Sequence, residues 1–237
     1  MKVRLVLAYD GSRFSGWQRQ KNAPSVQAVL EEALHQILRK KVHVVGAGRT
    51  DAGVHAQGQV VHAVIPGAFP LPKLQHALNA VLPEDVVVRS IREVPEKFHA
   101  RYSAASKWYR YQIWKDPVRP VFERKFVLHI PASLNLATMR RCARQLKGKR
   151  DFRAFHASGR PVKSTIRNLR RLTITRKGPL LLIDAEADGF LYHMVRRIVG
   201  LLLEVGKGKV SPAQYQRIIP PTAPAKGLCL MKVTYPK

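Results

Sequence analysis

Residues 42–64, which read VHVVGAGRTDAGVHAQGQVVHAV, contain the pattern from which the fold and the chemistry can both be inferred. The stretches 42–47 and 59–64 are rich in β-branched residues and are separated by a loop that glycines punctuate. Such stretches predict two β-strands with a loop between them.

The loop between these strands is a candidate site because its glycines surround Asp51, Arg49 and His55. A glycine-rich backbone can approach a ligand closely. Asp and Gly also dominate ordinary turns, so the spacing alone is explained equally well by a simple turn at residues 51–53. The pattern therefore leaves both interpretations open.

Outward from this loop, the first half predicts alternating strands and helices. A strand at 3–9 ends in Asp10-Gly11, and Ser25 is a suitable N-cap for a helix with apolar residues at helical spacing up to Ile37. A helix at 71–80 and a strand at 86–94 complete a β-α-β-β-α-β order.

The second half repeats this order. It predicts strands at 107–114, 169–175, 180–187 and 228–235, helices at 136–148 and 191–205, and a short extra helix that starts at Ser211-Pro212. The expected fold class is α+β, with two ferredoxin-like halves, 1–105 and 106–237, whose mostly antiparallel sheets flank a central catalytic cleft.

The charge of the chain points to a polyanionic partner. Lys and Arg number 42 against 15 Asp and Glu, a formal charge of +27. Nucleic acid is the first candidate, because the basic residues are spread through every segment instead of flanking an apolar stretch. No apolar run is long enough to span a bilayer, so we expect no membrane partner. Residues 1–7 alternate polar and apolar residues like a strand and lack the cleavage site of a secretory signal, so we expect a cytoplasmic protein.

Cofactor and metal motifs are missing from the sequence. It contains no GxxxxGK[ST], HExxH or GxGxxG pattern, and its histidines form no ligand cluster. Cys142 and Cys229 each lie in an apolar pattern and are expected in the core. We therefore expect a site without metal or cofactor.

The segment from Gly48 to Ala56, GRTDAGVHA, resembles the active-site signature of the tRNA pseudouridine synthase A family. Further segments that are similar to the family follow in order along nearly the whole chain. They are Tyr9-Asp10-Gly11, Gly16-Trp17-Gln18-Arg19-Gln20, Ser25-Val26-Gln27, Phe98-His99-Ala100-Arg101, Tyr109-Arg110-Tyr111, Asp151-Phe152, Met194-Val195-Arg196, Ile198-Val199-Gly200 and Gly227-Leu228.

This resemblance implies an isomerase that converts uridine to pseudouridine at positions 38 to 40 of tRNA, in the anticodon arm. The N1–C1′ bond breaks and is remade through C5, so no atoms are gained or lost and no cofactor is needed. Asp51 corresponds to the family's nucleophilic carboxylate, which attacks either C6 or C1′ of a flipped nucleotide, and the sequence does not decide between the two. The family also implies a homodimer.

The resemblance assigns two further catalytic residues. Arg196 corresponds to a basic partner that keeps Asp51 ionised where water is excluded, and Tyr109 to a ring that stacks on the flipped uracil. From the residues alone, a solvated helix charge is the commoner role of an Arg such as Arg196, although its apolar neighbours indicate a largely buried helix. Tyr109 would by itself be assigned to the sheet core, on a face with Tyr111 and opposite Trp108.

Substrate contacts are expected near the loop. Arg49 resembles the family residue that fills the space left by the flipped nucleotide, and His55 lies in the same signature. Arg13, Trp17 and Arg19 form a basic and aromatic stretch suited to RNA phosphates and bases. Trp17 could also anchor this loop in the core with the charges outside, which would not exclude RNA contact.

The sequence departs from the family pattern at two positions. Arg197 stands where the family often has Asn, and Trp108 precedes Tyr109 at a variable place.

A non-catalytic RNA-binding protein would also explain the charge, although a carboxylate in its binding surface would repel RNA. A pseudouridine synthase that modifies other uridines is the third possibility.

Overall fold

A computed structural model describes residues 1–67, 69–159, 162–211 and 218–236. The described helices and strands form a mixed α+β fold, which confirms the predicted class. The chain divides into two compact units, Met1–Ala105 with Cys229–Lys237, and Ser106–Leu228. The helix predicted from Ser211-Pro212 falls outside the described residues.

The first unit follows the predicted β-α-β-β-α-β order. Its elements are β1 (Lys2–Tyr9), α1 (Val26–Leu38), β2 (Val44–Gly46), β3 (His55–Val64), α2 (Leu71–Val81) and β4 (Val86–Glu93). Strand β1 lies between β3 and β4 and is antiparallel to both, and β2 pairs antiparallel with β3. Ser25 caps α1 by accepting a hydrogen bond from the Ala28 N–H at 3.3 Å.

The last strand, β10 (Leu228–Thr234), corrects the predicted grouping of the chain. Residues 229–237 are assigned to the second half by the sequence, but they cluster with the first unit. The reason is a parallel pairing in which Cys229 and Leu230 lie beside His55 and Ala56 of β3. The start of β3, directly after the Asp51 loop, is thus held from both sides.

The elements of the second unit are β5 (Ser106–Trp114), β6 (Leu128–His129), α3 (Leu136–Leu146), β7 (Gly148–Asp151), β8 (Ile166–Lys177), β9 (Leu180–Ala187) and α4 (Met194–Gly206). Four of its strands form a sheet in the order β5-β9-β8-β7, with antiparallel neighbours. Strand β5 alternates as predicted, with Tyr109 and Tyr111 buried and Trp108 on the opposite face.

Two element boundaries differ from the prediction for local reasons. Strand β3 begins at His55 and not at residue 59, because Ala56 pairs with Tyr9 of β1. Helix α4 begins at Met194 and not at residue 191, because His193 has a left-handed backbone with φ of 62°. Both predicted core cysteines are buried, and burial raises the pKa of the Cys142 thiol to about 11.

Candidate active site

The Asp51 loop, defined here as residues 47–54, connects β2 to β3 in the first unit. It folds into a turn in which the Val54 N–H donates to the Asp51 carbonyl at 3.1 Å, and Gly53 has φ of +74°. Thr50 is buried and Asp51 is half-buried. The simple-turn interpretation is therefore correct for the backbone but does not explain the burial around it.

A second loop, residues 10–17, holds the Asp51 loop through its backbone. The Trp17 N–H donates to the Thr50 carbonyl at 3.1 Å, and the Gly53 N–H donates to the Phe14 carbonyl at 3.2 Å. These two hydrogen bonds lie on either side of Asp51 in the sequence. The position of the Asp51 backbone is consequently set by two partners that are distant from it along the chain.

The two loops are so close that side chains are excluded between them. A Cβ on Gly16 would lie 2.6 Å from the Thr50 carbonyl oxygen, and a Cβ on Gly11 would lie 2.1 Å from the Val54 carbonyl oxygen. Gly16 also has φ of +97°, which L side chains rarely adopt. Glycine is therefore required at both positions for this packing.

Beneath the loop, buried polar side chains fix its other residues. The Tyr9 hydroxyl is hydrogen-bonded to Thr50 Oγ1 at 2.9 Å, and Gln59 Nε2 donates to the Gly48 carbonyl at 2.9 Å. Burial raises the pKa of the Tyr9 phenol, so it remains a neutral hydroxyl at physiological pH. Sequence reasoning assigned no role to Tyr9, Thr50 or Gln59, although the first two lie in segments similar to the family.

His55 supports the loop from inside the protein. It is only 4% exposed, and its Nδ1 accepts the Gly11 N–H at 3.0 Å while lying 3.1 Å from Asp10 Oδ1. Because Nδ1 accepts the hydrogen bond of the Gly11 N–H, it does not also donate one to Asp10 in this arrangement. The ring thus packs inside the first unit, and the substrate contact expected of His55 stays a prediction.

Among the three expected RNA contacts in residues 13–19, Trp17 anchors its loop in the core, which is one of the two predicted interpretations. Its side chain is 2% exposed, and a Cβ on Gly46 would lie 2.8 Å from its ring. The RNA contact of this stretch stays a prediction. Arg13 and Arg19 are exposed, but each is paired with a carboxylate, Asp85 and Glu31 respectively. Arg49, beside Asp51, is exposed.

In the second unit, Tyr109 lies in the middle of β5, opposite Ala185 of β9. Its ring is 7% exposed and makes an edge contact with Phe190 at 5.3 Å between centroids. This is the environment expected of a core residue, so the structure adds no separate reason to assign Tyr109 to catalysis.

Arg196 is in the first turn of α4 and is half-buried. Its Nε donates to the Ala223 carbonyl at 2.7 Å, and the Ala223 N–H donates to the Arg196 carbonyl at 3.1 Å. Arg196 is therefore not a solvated helix charge. Sequence reasoning missed Ala223, because any residue can supply a backbone carbonyl.

The two departures from the family pattern have structural roles. Arg197 Nη1 donates to the carbonyls of Ala154 and His156, at 3.3 and 2.8 Å. The Trp108 indole donates to Asp184 at 2.8 Å. Each side chain is used within the second unit, so neither departure removes a predicted catalytic group.

Within the described residues, no cluster of three or more His, Cys, Asp or Glu side chains is arranged to bind a metal ion. No helix in this part of the chain has the length and apolar character to cross a membrane.

Comparison with known proteins identifies the family. Residues 5–103 and 142–236 match the family model for tRNA pseudouridine synthase. The chain is 43% identical to the tRNA pseudouridine synthase A of Syntrophotalea carbinolica, over 98% of this chain and 96% of that protein. It is 42% identical to the enzymes of the same name from Moorella thermoacetica, over 98% and 99% of the two chains, and from Geobacillus kaustophilus, over 99% and 94%.

The matched residues include both the Asp51 loop and the first turn of α4. Membership of this family favours an enzyme over the non-catalytic RNA-binding protein that the charge alone allowed. The chain therefore belongs to the tRNA pseudouridine synthase A family of isomerases.

Proposed function

We propose that this tRNA pseudouridine synthase modifies uridines 38, 39 and 40 in the anticodon arm, with Asp51 as its nucleophile. The observation that supports the role of Asp51 most directly is the pair of backbone hydrogen bonds, at Thr50 and Gly53, between which it lies. A reacting group held in one position reacts faster because less orientational freedom is lost in the transition state. In a chain of charge +27, a carboxylate fixed in this way is better suited to covalent chemistry than to RNA binding.

The reaction is balanced without a second substrate. The glycosidic N1–C1′ bond breaks, a C5–C1′ bond forms, and the proton lost from C5 is replaced by one on N1. Asp51 would form a covalent bond to C6 or to C1′ and be released when the new bond is complete. The carboxylate must be ionised for this step, although exclusion of water favours its protonated form.

The remaining groups are assigned to handling of the nucleotide. A uridine in the anticodon stem has to leave the base stack before Asp51 can reach it. The exposed Arg49 is suited to fill the vacated space, the Tyr109 ring to stack on the flipped uracil, and Arg196 to oppose the desolvation of Asp51. This assignment requires Tyr109 and Arg196 to act on the same nucleoside as Asp51.

We also infer the organisation of the enzyme. Its halves would be ferredoxin-like units, which the β-α-β-β-α-β order of the first unit supports, and β10 would belong with residues 1–105 instead of with the second half. The enzyme would act in the cytoplasm as a homodimer. The exposed Val118, Val121 and Phe122 support a protein contact, and a solution mass of 26.8 kDa, that of one chain, would contradict it.

The first test uses Asp51→Asn and an unmodified tRNA transcript. We expect the unaltered enzyme to form pseudouridine at 38 to 40, and the variant to lose on the order of 10⁴-fold in kcat, because an amide is not an anionic nucleophile. Binding of tRNA should persist, since the phosphate contacts remain. Pseudouridine is mapped base by base along the transcript.

The control is Asp116→Asn. Asp116 Oδ1 accepts the Val118 N–H at 2.8 Å, a role that Asn also fills, so turnover should be unchanged. Near-normal turnover by Asp51→Asn would exclude Asp51 as the nucleophile. Products confined to uridines outside 38 to 40 would exclude the proposed positions.

A further inference from the structure

A proline-rich segment of the second unit, residues 220–224, lies against helix α4 with main chain touching main chain. A Cβ on Gly200 would lie 1.9 Å from the Pro221 carbonyl oxygen, well inside any real contact distance. Gly200 follows Arg196 by four residues, so the two share one face of the helix. The segment therefore crosses α4 on the face that carries Arg196, and glycine at position 200 permits the crossing.

The same segment holds Arg196 itself. Ala223 exchanges two hydrogen bonds with Arg196, accepting from Nε at 2.7 Å and donating to the backbone carbonyl at 3.1 Å. A carbonyl that accepts from Nε restricts rotation of the whole planar guanidinium, because Nε is part of its plane. The orientation of the Arg196 guanidinium consequently depends on the position of residues 220–224.

Tyr111 fixes the far end of the segment. Its hydroxyl donates to the Pro224 carbonyl at 2.8 Å, and its side chain is fully buried. A Cβ on Gly227 would lie 2.7 Å from the Tyr111 ring, so the chain also passes closely over that ring. Burial raises the pKa of Tyr111, against the opposing effect of the Arg196 charge, and the hydroxyl therefore stays protonated as a donor.

We propose that Tyr111, Gly200 and residues 220–224 position the guanidinium of Arg196 for the isomerisation. This inference rests on the proposed role of Arg196 in keeping Asp51 ionised. Tyr111 and Gly200 act through Arg196 and are positioning residues, not catalytic ones. The alternative is that the segment only covers the apolar side of α4.

The first experiment compares Gly200→Ala with Gly206→Ala in the same helix. Both changes favour the helical backbone, but a Cβ at 206 meets the flexible Met139 Sδ at 2.6 Å instead of a main-chain carbonyl. For Gly200→Ala we expect kcat to fall roughly 10- to 100-fold with KM for tRNA nearly unchanged, since a displacement of about 1 Å can cost about 100-fold. Gly206→Ala should keep its turnover. Equal kcat values for the two variants, measured well below their Tm, would overturn the proposal.

A second experiment tests the proposal even if Gly200→Ala does not fold. Tyr111→Phe removes only the hydroxyl, and we expect kcat to fall about 10-fold. In an Arg196→Lys background, which lacks the Nε donor, Tyr111→Phe should cause no further fall, because the lysine is not held by Ala223. Independent effects of the two changes on kcat would identify Tyr111 as a packing residue. Normal turnover by both Arg196→Lys and Arg196→Gln would instead remove the proposed role of Arg196 itself, so the two failures are distinguishable.

Discussion

The Asp51 loop of the first unit and the start of α4 in the second unit are both held by close backbone contacts. The two regions differ in the further hydrogen bonds that hold them. The Asp51 loop rests on a buried side-chain pair, Tyr9 and Thr50, and on Gly16. Arg196 is held by a main-chain carbonyl 27 residues further along the chain, in a segment whose Pro224 carbonyl accepts from the Tyr111 hydroxyl.

This difference decides how each region responds to substitution. A side-chain network can be weakened one polar atom at a time, and each atom left unpaired in the interior destabilises the protein. The contact of Ala223 with Arg196 is made by the Ala223 main chain, so truncating a side chain does not remove it. It can be altered only by displacing residues 220–224. We therefore expect graded effects where side chains hold the Asp51 loop, and abrupt ones where a main-chain contact is displaced, as at Gly16 and at residues 220–224.

Apart from changes to Asp51 itself, the largest effect in the first unit should come from Gly16→Ala, which adds a Cβ 2.6 Å from the Thr50 carbonyl at a φ of +97°. We expect kcat to fall about 100-fold, since the Asp51 backbone has to move. Gly67→Ala is the matched control, because Gly67 also has a positive φ, +66°, but among the described residues other than its chain neighbours nothing lies within 4 Å of its Cβ position. Gly67→Ala should lose only about 1–2 kcal/mol of stability and no turnover. Similar kcat values for the two variants would show that loop contact does not set the position of Asp51.

A smaller effect is expected from Thr50→Val, which keeps the side-chain shape but leaves the buried Tyr9 hydroxyl without its 2.9 Å partner. The free energy of unfolding should fall by about 1–3 kcal/mol, and kcat several-fold. Tyr9→Phe removes the other half of the pair, so the double variant should lose less stability than the sum of the two single losses. Chemical denaturation of the three variants measures this coupling. Additive losses would mean that the pair does not act as a unit.

The smallest effect should appear at alkaline pH and should be shared by the two regions. Burial raises the pKa of Tyr9 and of Tyr111 above the ordinary tyrosine value of about 10. The unfolded chain then loses these protons at lower pH than the folded protein does, so their contribution to stability is complete below pH about 10 and is lost as pH rises beyond it.

The fall in Tm between pH 9 and pH 11 should be less steep in Tyr9→Phe and in Tyr111→Phe than in the unaltered protein. Tyr102→Phe, at a position 77% exposed, should leave the steepness unchanged. If Tm fell equally steeply with pH in all four proteins, neither buried phenol would contribute to alkaline unfolding.

Much of the fold could be predicted from sequence because hydrophobic periodicity is local. The alternation in β5 placed Tyr109 and Tyr111 on the buried face, and Ser25 correctly marked the start of α1. Boundaries set by partners were missed. Strand β3 begins at His55 because it pairs there with β1 and β10, and the sequence of β3 does not show which strands pair with it.

By itself, the sequence determined the α+β class, the basic character of the surface and the family, since these follow from periodicity, composition and motifs that are local in the chain. Only the tertiary structure decided that Trp17 and His55 are internal supports, and that residues 220–224 hold Arg196. The physical reason is that burial and main-chain hydrogen bonds depend on which distant segments meet, and a backbone carbonyl leaves no signature in the residue that supplies it.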